Sequence, residues 1–312
     1  MTSGGAVYSE AVVNLEQELS TFFHEKGSSA AMDLGRERLN WSADIWKRID
    51  DAVHDEFQRT SVAAKFIPLY GPVGDVLTVP ADDIDTDTMT ISETQVTPLL
   101  EMWVEFGLTR QQVASEADLS TALTLATRAA NILSQGEDLA IFRGDEGLKN
   151  NPLKQVKNRG GSAGPGVLNA AAQAIKVTPV SAGEKNYGER TFTAVAQGYS
   201  LLQNQGHYGP YALALKSELY ADTFAPLPNT LAMPADRIKP LVTLGFFGAG
   251  ALRPSTGILL SAGGESIDLV SGVNPITEFL QVSDDGLYRF RVFERFAVRI
   301  KDSNALVRLE FM

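Results

Sequence analysis

The chain has 312 residues, of which 44% are hydrophobic and 21% are charged, a composition typical of a globular protein and unlike a disordered or fibrous chain. It contains no cysteine, which excludes disulfides, thiolate nucleophiles and cysteine-ligated metal sites. The formal net charge is −11 and no run of Lys and Arg forms a local basic patch, so nucleic acid is not an expected partner.

The amino-terminal residues predict neither a targeting signal nor a membrane anchor. They lack the basic start and apolar run of a secretory signal, and no stretch approaches the roughly 20 apolar residues that cross a bilayer. We therefore expect a cytoplasmic location and no membrane partner.

Two amphipathic helices are predicted near the amino terminus. Residues 7 to 24 carry apolar side chains at steps of three and four, and this pattern ends at small residues that begin with Gly27. In the second helix, Ser42 can cap residues 43 to 57. Its apolar stripe, with an indole beside it, consists of Ile45, Ile49, Val53, Phe57 and the adjacent Trp46.

A strand-rich arm and a long helix are predicted in the centre of the chain. Between residues 76 and 106, short apolar runs flank the acidic stretch Asp82 to Asp87, a pattern typical of strands joined by a polar excursion that projects from the body. Residues 116 to 142 keep a helical period, and we expect Gly144 to end this longest helix.

The second half is predicted to mix helices and strands. Residues 144 to 189 turn to Gly, Asn, Pro and Lys, which indicates loops around one small helical piece near residues 168 to 175. Further on, helices are predicted over residues 191–205, 217–224 and 235–243, and strands over residues 211–215, 257–261 and 276–281. Residues 287–300 and 305–311 alternate as closing strands, with Asp284-Asp285-Gly286 as a hairpin turn.

The sequence contains one motif typical of an enzyme, but the residues around this motif argue against a catalytic role. Gly160-Gly161-Ser162-Ala163-Gly164 matches the G-x-S-x-G of a hydrolase nucleophile elbow. That elbow needs an apolar strand before the serine and a helix directly after it, whereas a polar run precedes Ser162 and Pro165 follows. A hydrolase that uses Ser162 therefore stays a weak alternative, and no catalytic residue is predicted.

Metal and phosphate sites are not predicted either. Asp83, Asp85 and Asp87 alternate like calcium-loop ligands, but Thr88 and Thr94 stand where such a loop needs Gly and Glu. The histidines are few and scattered, and no glycine-rich phosphate-binding motif is present. We predict no metal and no cofactor, and the profile favours a structural role over catalysis.

Four stretches of the sequence resemble one known family. Residues 204–220 contain a Gly-Pro-Tyr turn, an apolar strand and a Leu-Tyr helix, and residues 46–52, 136–144 and 290–300 agree with the same family in order and spacing. Together, over about residues 32 to 312, they resemble encapsulins of the family 1 type, the shell proteins of bacterial and archaeal nanocompartments.

The resemblance implies an α+β fold of the Hong Kong 97-like phage major capsid type. Its parts map onto this chain as an amino-terminal extension (1–31), an interior-facing helix region (32–70), a peripheral domain (71–184) with an extended loop (78–105) and a spine helix (116–142), an axial domain (185–285), and closing strands that return to the peripheral domain (286–312).

The resemblance also implies a self-assembling icosahedral shell of about sixty chains or a multiple. Such a shell encloses a cargo enzyme, for example a peroxidase or a ferritin-like protein, whose targeting peptide lies in an apolar groove on the inner wall. The positions that correspond to this groove are Ile45, Trp46, Ile49, Val53, Phe57, Val307 and Leu309. An apolar helical stripe equally predicts packing of the helix onto its own domain, and that alternative stays open.

Two further expectations follow from the resemblance. The loop Pro226, Leu227, Pro228, Asn229, Thr230 lies between two helices of the implied axial domain and corresponds to a pore at the five-fold axes. Residues 1–31 have no counterpart in the family pattern, and we expect their amphipathic helix to line the inner wall or reach an adjacent subunit. A disordered terminal tail is the alternative. The main alternative function is a prophage major capsid protein that packages DNA, which the lack of a basic run opposes.

Overall fold

The structure is a computed structural model that describes residues 32–74, 76–85, 88–92, 95–181, 186–226, 231–263 and 265–312. The chain divides into a segment that ends at Leu34 and a body, Gly35–Met312, and the fold below is that of the body. The helix predicted within residues 7 to 24 lies outside the described residues. No helix in the described ranges is long and apolar enough to span a membrane.

The body combines helices with two five-stranded sheets. The α-helices are α1 Ala43–Thr60, α2 Arg110–Ala114, α3 Glu116–Leu119, α4 Thr121–Lys149, α5 Gly166–Ala170, α6 Glu189–Asn204, α7 Ser217–Asp222 and α8 Pro234–Ile238. The strands are β1 Leu69–Tyr70, β2 Thr78–Pro80, β3 Asp83–Asp85, β4 Thr90–Ser92, β5 Val96–Pro98, β6 Leu100–Leu108, β7 Val156–Gly160, β8 Gln173–Val177, β9 Tyr211–Lys216, β10 Gly245–Ala249, β11 Thr256–Ser261, β12 Ile267–Val282, β13 Tyr288–Ile300 and β14 Leu306–Phe311. Short 3-10 turns occupy Arg36–Arg38, Ala63–Lys65, Lys239–Leu241 and Ser303–Ala305.

The first sheet is built around the long hairpin of β12 and β13. Its strand order is β1-β12-β13-β6-β7, and all neighbours are antiparallel except β1 and β12. The hairpin turn is where the sequence predicted it, because Gly286 adopts a φ of 78° and the Ser283 N–H donates to the Leu287 carbonyl at 2.9 Å. Alternation along β13 sends Phe290 and Val292 to the helical side of this sheet.

Helices α1 and α4 cover one face of the first sheet. The Ser42 hydroxyl accepts a hydrogen bond from the Ile45 N–H at 3.4 Å, which confirms the predicted N-cap. Ile49 and Val53 are buried in the same cluster as Phe290. Helix α4 approaches the sheet closely at Gly136, where an added Cβ would lie 3.0 Å from the Met102 side chain.

The second sheet has the order β10-β9-β11-β14-β8. Helix α6 packs on one of its faces, while side chains of the opposite face, such as Ala212 and Leu260, belong to the core that continues toward α4 and α5. The two closing strands, which the sequence analysis grouped in one domain, lie in different sheets: β13 in the first and β14 in the second. Strand β14 fills an interior position of the second sheet because it pairs with β11 on one edge and with β8 on the other. One of its faces carries the buried Val307, Leu309 and Phe311, and the other carries Leu306 with the ion pair of Arg308 and Glu310.

The arm expected between residues 78 and 105 is a ladder of short strands. Strand β2 pairs with β5, and β3 pairs with β4, each pair antiparallel. The part from Leu100 onward differs from the expectation, because β6 pairs with β13 and is therefore an interior strand of the first sheet.

The long central helix differs from its predicted bounds at its amino-terminal end. Ser120 adopts a left-handed conformation with φ 51°, which separates α3 from α4. At the other end, Gly144 has non-helical dihedral angles, φ 62° and ψ −151°, so the helix breaks where the sequence predicted its end, and a second helical stretch continues to Lys149. Strands β7, β8 and β10 fall where loops or helices were expected. Strand β7 is an edge strand with mostly exposed side chains, β10 shows no alternation of burial, and the alternation of β8 spans only five residues.

The kink at Gly144 brings two backbone segments into contact. A Cβ at Gly144 would overlap the Gly164 carbonyl oxygen and the backbone of Pro165 and Gly166, in a φ/ψ region that is essentially restricted to glycine. This position therefore tolerates no side chain.

Replacing Gly144 by Ala is expected to lower the free energy of unfolding by about 3 kcal/mol, since backbone strain and steric overlap add. The matched control is Gly164→Ala, at φ 62° with open space around the added Cβ, for which we expect about 1 kcal/mol. Denaturant unfolding of the purified variants measures both, and equal losses would contradict the close-contact argument.

Candidate functional site

A cavity of about 340 Å³ lies between the carboxyl end of α1, the turn that follows it, and the first sheet. Its apolar lining includes Phe57, Ile67, Leu69, Leu269, Val273 and Phe296. Polar side chains from α1, the turn and the sheet also line it, namely His54, Gln58, Lys65, Asn274 and Arg295. An apolar pocket with a few polar groups at fixed positions is the usual form of a binding site for a small ligand or a peptide side chain.

Carboxyl groups of two elements form the inner side of this cavity. Glu137 on α4 and Glu294 on β13 both line it, and both are buried. Asp138, next to Glu137, is buried as well. These three form a cluster in an otherwise apolar region, where β13 places Glu294 on the same face as Val292 and Phe296.

Asp138 holds the turn that follows α1. Its carboxylate accepts hydrogen bonds from the Val62 N–H at 3.0 Å and the Ala63 N–H at 2.8 Å. The Ser61 hydroxyl lies 3.3 Å from Asp138 Oδ1 and 3.0 Å from Glu137 Oε2, so its single proton serves one carboxyl at a time. Asp138 thus links α4 to the wall of the cavity.

Glu294 has a different environment. It is 2% exposed, and its Oε1 atom is buried without a hydrogen-bond partner in the described part of the chain. A buried polar atom without a partner costs about 1–3 kcal/mol, so its position beside a cavity calls for an explanation.

Burial dominates the ionisation of all three carboxyl groups. Burial, together with the charge of Asp138, raises the pKa of Glu137 to about 8, and burial raises the pKa of Asp138 to about 6 in spite of its backbone hydrogen bonds. Burial and the neighbouring Glu137 and Asp138 raise the pKa of Glu294 well above its usual value. At neutral pH, Glu137 is therefore mostly protonated and Asp138 mostly ionised, while the raised pKa of Glu294 shifts that group toward its protonated form.

On the outer face of β13, a buried carboxylate is paired with arginine side chains, and its pKa is lowered rather than raised. Glu101 on β6 receives hydrogen bonds from Arg291 at 2.8 Å and Arg295 at 2.7 Å, and Arg159 lies 2.8 Å from it. Burial alone would raise the pKa of Glu101, but Arg295 and Arg291 outweigh burial and lower it. A buried carboxylate that is paired in this way stays ionised at neutral pH.

The groove residues predicted from the sequence occupy two separate clusters. Trp46, Ile49, Val53 and Phe57 are buried in the core beneath α1, with Ile45 packed against it. Phe57 also lines the cavity, and Trp46 reaches a shallow hollow beside Arg36 and Asp50.

Val307 and Leu309, predicted for the opposite wall, do not meet the helix residues. Both are fully buried in the cluster between the second sheet and α6. The reason is topological, since β14 pairs with β11 and β8 in the second sheet.

The structure shows no catalytic or metal-binding arrangement at the other candidate positions that it describes. The Ser162 hydroxyl donates to Asp145 Oδ2 at 2.6 Å and accepts from the Gly164 N–H at 3.0 Å, and no histidine is among its hydrogen-bond partners in the described ranges. Pro226 is exposed, and the rest of the predicted pore loop, 227–230, lies outside the described residues, as does Asp87. Within the described residues, no group of three or more His, Asp or Glu side chains is arranged to hold a metal ion.

The three buried carboxyl groups were not among the functional residues predicted from the sequence. Their signal was present, because Glu137-Asp138 interrupts the apolar end of the long helix and Glu294 interrupts the apolar face of a predicted strand. Such interruptions indicate buried acids only after the helix and the strand are known to face each other.

Comparison with known proteins gives concordant results. The sequence model of a family described as encapsulating protein for peroxidase matches residues 32–297. The type 1 encapsulin shell protein EncA of Myxococcus xanthus is 26% identical over 282 residues, covering 85% of this chain and 92% of that protein.

Solved structures support the same fold. The virus-like particle from Pyrococcus furiosus has a TM-score of 0.63 at 16% identity and covers 85% of this chain and 99% of its own. The capsid of Myoviridae phage XM1 has a TM-score of 0.52 at 10% identity and covers 81% of this chain and 92% of its own. These similarities show a capsid-type fold.

The raised pKa of Glu137 predicts how the free energy of unfolding depends on pH. Its pKa is higher in the folded than in the unfolded chain, so the folded state binds more protons between the usual value of 4.5 and about 8. From this group, the free energy of unfolding should fall with rising pH by up to about 1.4 kcal/mol per unit in that window. Glu137→Gln removes this contribution, and the variant should gain stability relative to the natural chain as pH rises from 5 to 8.

Thermal unfolding midpoints at several pH values measure this difference. Glu218→Gln, at an exposed position, is the matched control and should show no such trend. A constant difference between Glu137→Gln and the natural chain across this range would contradict the assignment of a protonated, buried Glu137.

Proposed function

This chain belongs to the family of encapsulating proteins and is an encapsulin shell protein with a Hong Kong 97-like capsid fold, and from this we propose that its copies close into an icosahedral shell around a cargo enzyme. About sixty copies or a multiple form such a shell, with every copy repeating the same heterologous contacts. In the proposed shell, the first sheet with α4 is the peripheral domain, and the region around the second sheet is the axial domain.

Exposed apolar side chains on the arm support assembly. Leu77, Met89, Ile91 and Val96 are all exposed in the single chain, with Met89 at 82%. A narrow ladder of short strands cannot bury them against itself, and apolar patches of this kind mark surfaces that contact other proteins. We propose that a neighbouring subunit covers the arm.

The cavity beside α1 carries the cargo part of the proposal. We propose that a targeting peptide of the cargo enzyme inserts apolar side chains between Phe57, Leu69 and Val273 on the inner wall of the shell. The remaining predicted helix residues, Ile45, Trp46, Ile49 and Val53, support this wall by packing α1 onto the first sheet. A peroxidase is a suitable cargo class, because the matching family is described by it.

Electron microscopy of the chain expressed alone in a heterologous host tests assembly. We expect uniform hollow polyhedra, since the arm and the capsid fold need no second protein to form repeated contacts. A monomer or dimer would contradict assembly by the chain alone. Particles filled with DNA would favour the phage capsid alternative, which the net charge of −11 opposes.

Cargo binding at the cavity is tested by one substitution on β12. Val273→Asp places a charge in the apolar lining, so we expect shells that assemble but contain at least tenfold less of a co-expressed cargo, consistent with a loss above about 1.4 kcal/mol. Val282→Asp, at an exposed position on the same strand, is the control and should load normally. Equal loading of the two variants would place the peptide elsewhere.

A further inference from the structure

A different cavity, of about 510 Å³, lies between α4 and the loops at one end of the second sheet. The basic side chains that line it are Arg143, from α4, and Lys216, from the end of β9. Apolar residues form much of the remaining wall, namely Leu139, Pro152, Leu153, Leu252 and Pro254. Among the described residues, none lines both this cavity and the one beside α1, so the two are separate sites.

The two basic side chains have no acidic partner within the described ranges. Arg143 forms no ion pair there, and its Nε atom is buried without a hydrogen-bond partner. Lys216 donates one ammonium proton to the Gly250 carbonyl at 2.6 Å, which leaves its charge uncompensated. A buried donor without an acceptor is costly, so an acceptor supplied by a ligand would stabilise Arg143.

The acidic groups around this cavity do not neutralise the two cations. Asp138 is the one carboxyl in the described lining, and its oxygens accept hydrogen bonds from the Val62 N–H at 3.0 Å and the Ala63 N–H at 2.8 Å. In the last turns of α4, Glu146 pairs with Arg253 of the β10–β11 loop instead. The lining therefore keeps an excess of positive charge in a chain whose net charge is −11.

We propose that this cavity binds the phosphate group of a small organic molecule, and that Arg143 and Lys216 hold it. The guanidinium of Arg143 offers a planar set of donors that fits phosphate oxygens, and the ammonium of Lys216 adds a second positive charge. A phosphate monoester carries a charge of about −1.5 to −2 at neutral pH, so two cations match it better than they match a single carboxylate.

The size and the apolar wall of the cavity favour a phosphate ester over inorganic phosphate. Its volume falls within the range of about 300–1,000 Å³ that is usual for small-molecule sites. Leu139 on α4, Leu153 after it and Leu252 in the β10–β11 loop provide contacts for the organic part of the ligand.

A ligand held in this way would connect two parts of the body. Arg143 belongs to the helix that covers the first sheet, and Lys216 ends a strand of the second sheet. Binding to the folded chain should therefore raise the thermal unfolding midpoint, because a ligand that binds only the native state stabilises it. This inference does not rest on shell assembly or cargo docking, and its failure would leave the proposed function unchanged.

Equilibrium binding to the purified full-length protein tests the inference with three probes. Phenyl phosphate carries the dianion and a ring, inorganic phosphate has the charge without the ring, and benzoate has the ring with a single charge. We expect phenyl phosphate to bind most tightly, by about tenfold or more over benzoate, because it pairs with both cations. Failure of phenyl phosphate to bind would overturn the inference, as would equal affinity for phenyl phosphate and either of the other probes.

Two substitutions locate the binding. Arg143→Gln and Lys216→Gln should each weaken the binding of phenyl phosphate by about tenfold or more, since each removes a charge-assisted hydrogen bond. Arg128→Gln is the matched control, because Arg128 is an exposed arginine of the same helix outside the cavity lining. If Arg143→Gln does not fold, Lys216→Gln decides alone, and an affinity equal to that of the natural chain would overturn the inference.

Thermal unfolding distinguishes phosphate binding from a merely structural role of the two cations. Saturating phenyl phosphate should raise the unfolding midpoint of the natural chain and of Arg128→Gln, and should raise that of Arg143→Gln and Lys216→Gln much less. An equal rise in all four proteins would assign binding to another part of the chain and would overturn the inference.

Discussion

Strand β13 is buried on both faces, and the two faces differ in how their buried carboxyl groups are paired. On the outer face, Arg291 and Arg295 hold Glu101 as an ion pair network that ties β6 to β13. On the inner face, apolar contacts with α1 and α4 dominate, and Glu294 is the polar exception. Because the hairpin of β12 and β13 is the centre of the first sheet, the positions of the helices and of the cavity all depend on it.

The cavity forms because α1 ends before it covers the whole face of the first sheet. Asp138 binds the backbone of the turn after α1 and so fixes how far the helix extends over the sheet. Phe57 closes one side and Val273 another, and the acids of α4 and β13 lie behind them. In the proposed function, this one joint between a helix and a sheet would supply both a rigid inner wall and the cargo contact.

The sequence predicted elements more reliably than it predicted their neighbours. The cap at Ser42, the stripe of α1 and the turn at Gly286 were all read from local patterns, because each depends on a few adjacent residues. The opposite wall of the groove was placed at Val307 and Leu309, although β14 lies in the second sheet. Apolar alternation marks a strand as buried, and it does not say which sheet the strand joins.

The amino-acid sequence by itself determined the absence of cysteine chemistry, the acidic charge, the two helices that cover the first sheet, and the resemblance to encapsulins. These are properties of composition and of short-range or linear patterns. Only the tertiary structure decided that Glu137, Asp138 and Glu294 meet behind a cavity, because residues 137 and 294 come together through the packing of α4 against β13. Burial then changes the chemistry of these carboxyls, since their pKa depends on surroundings that the linear order does not specify.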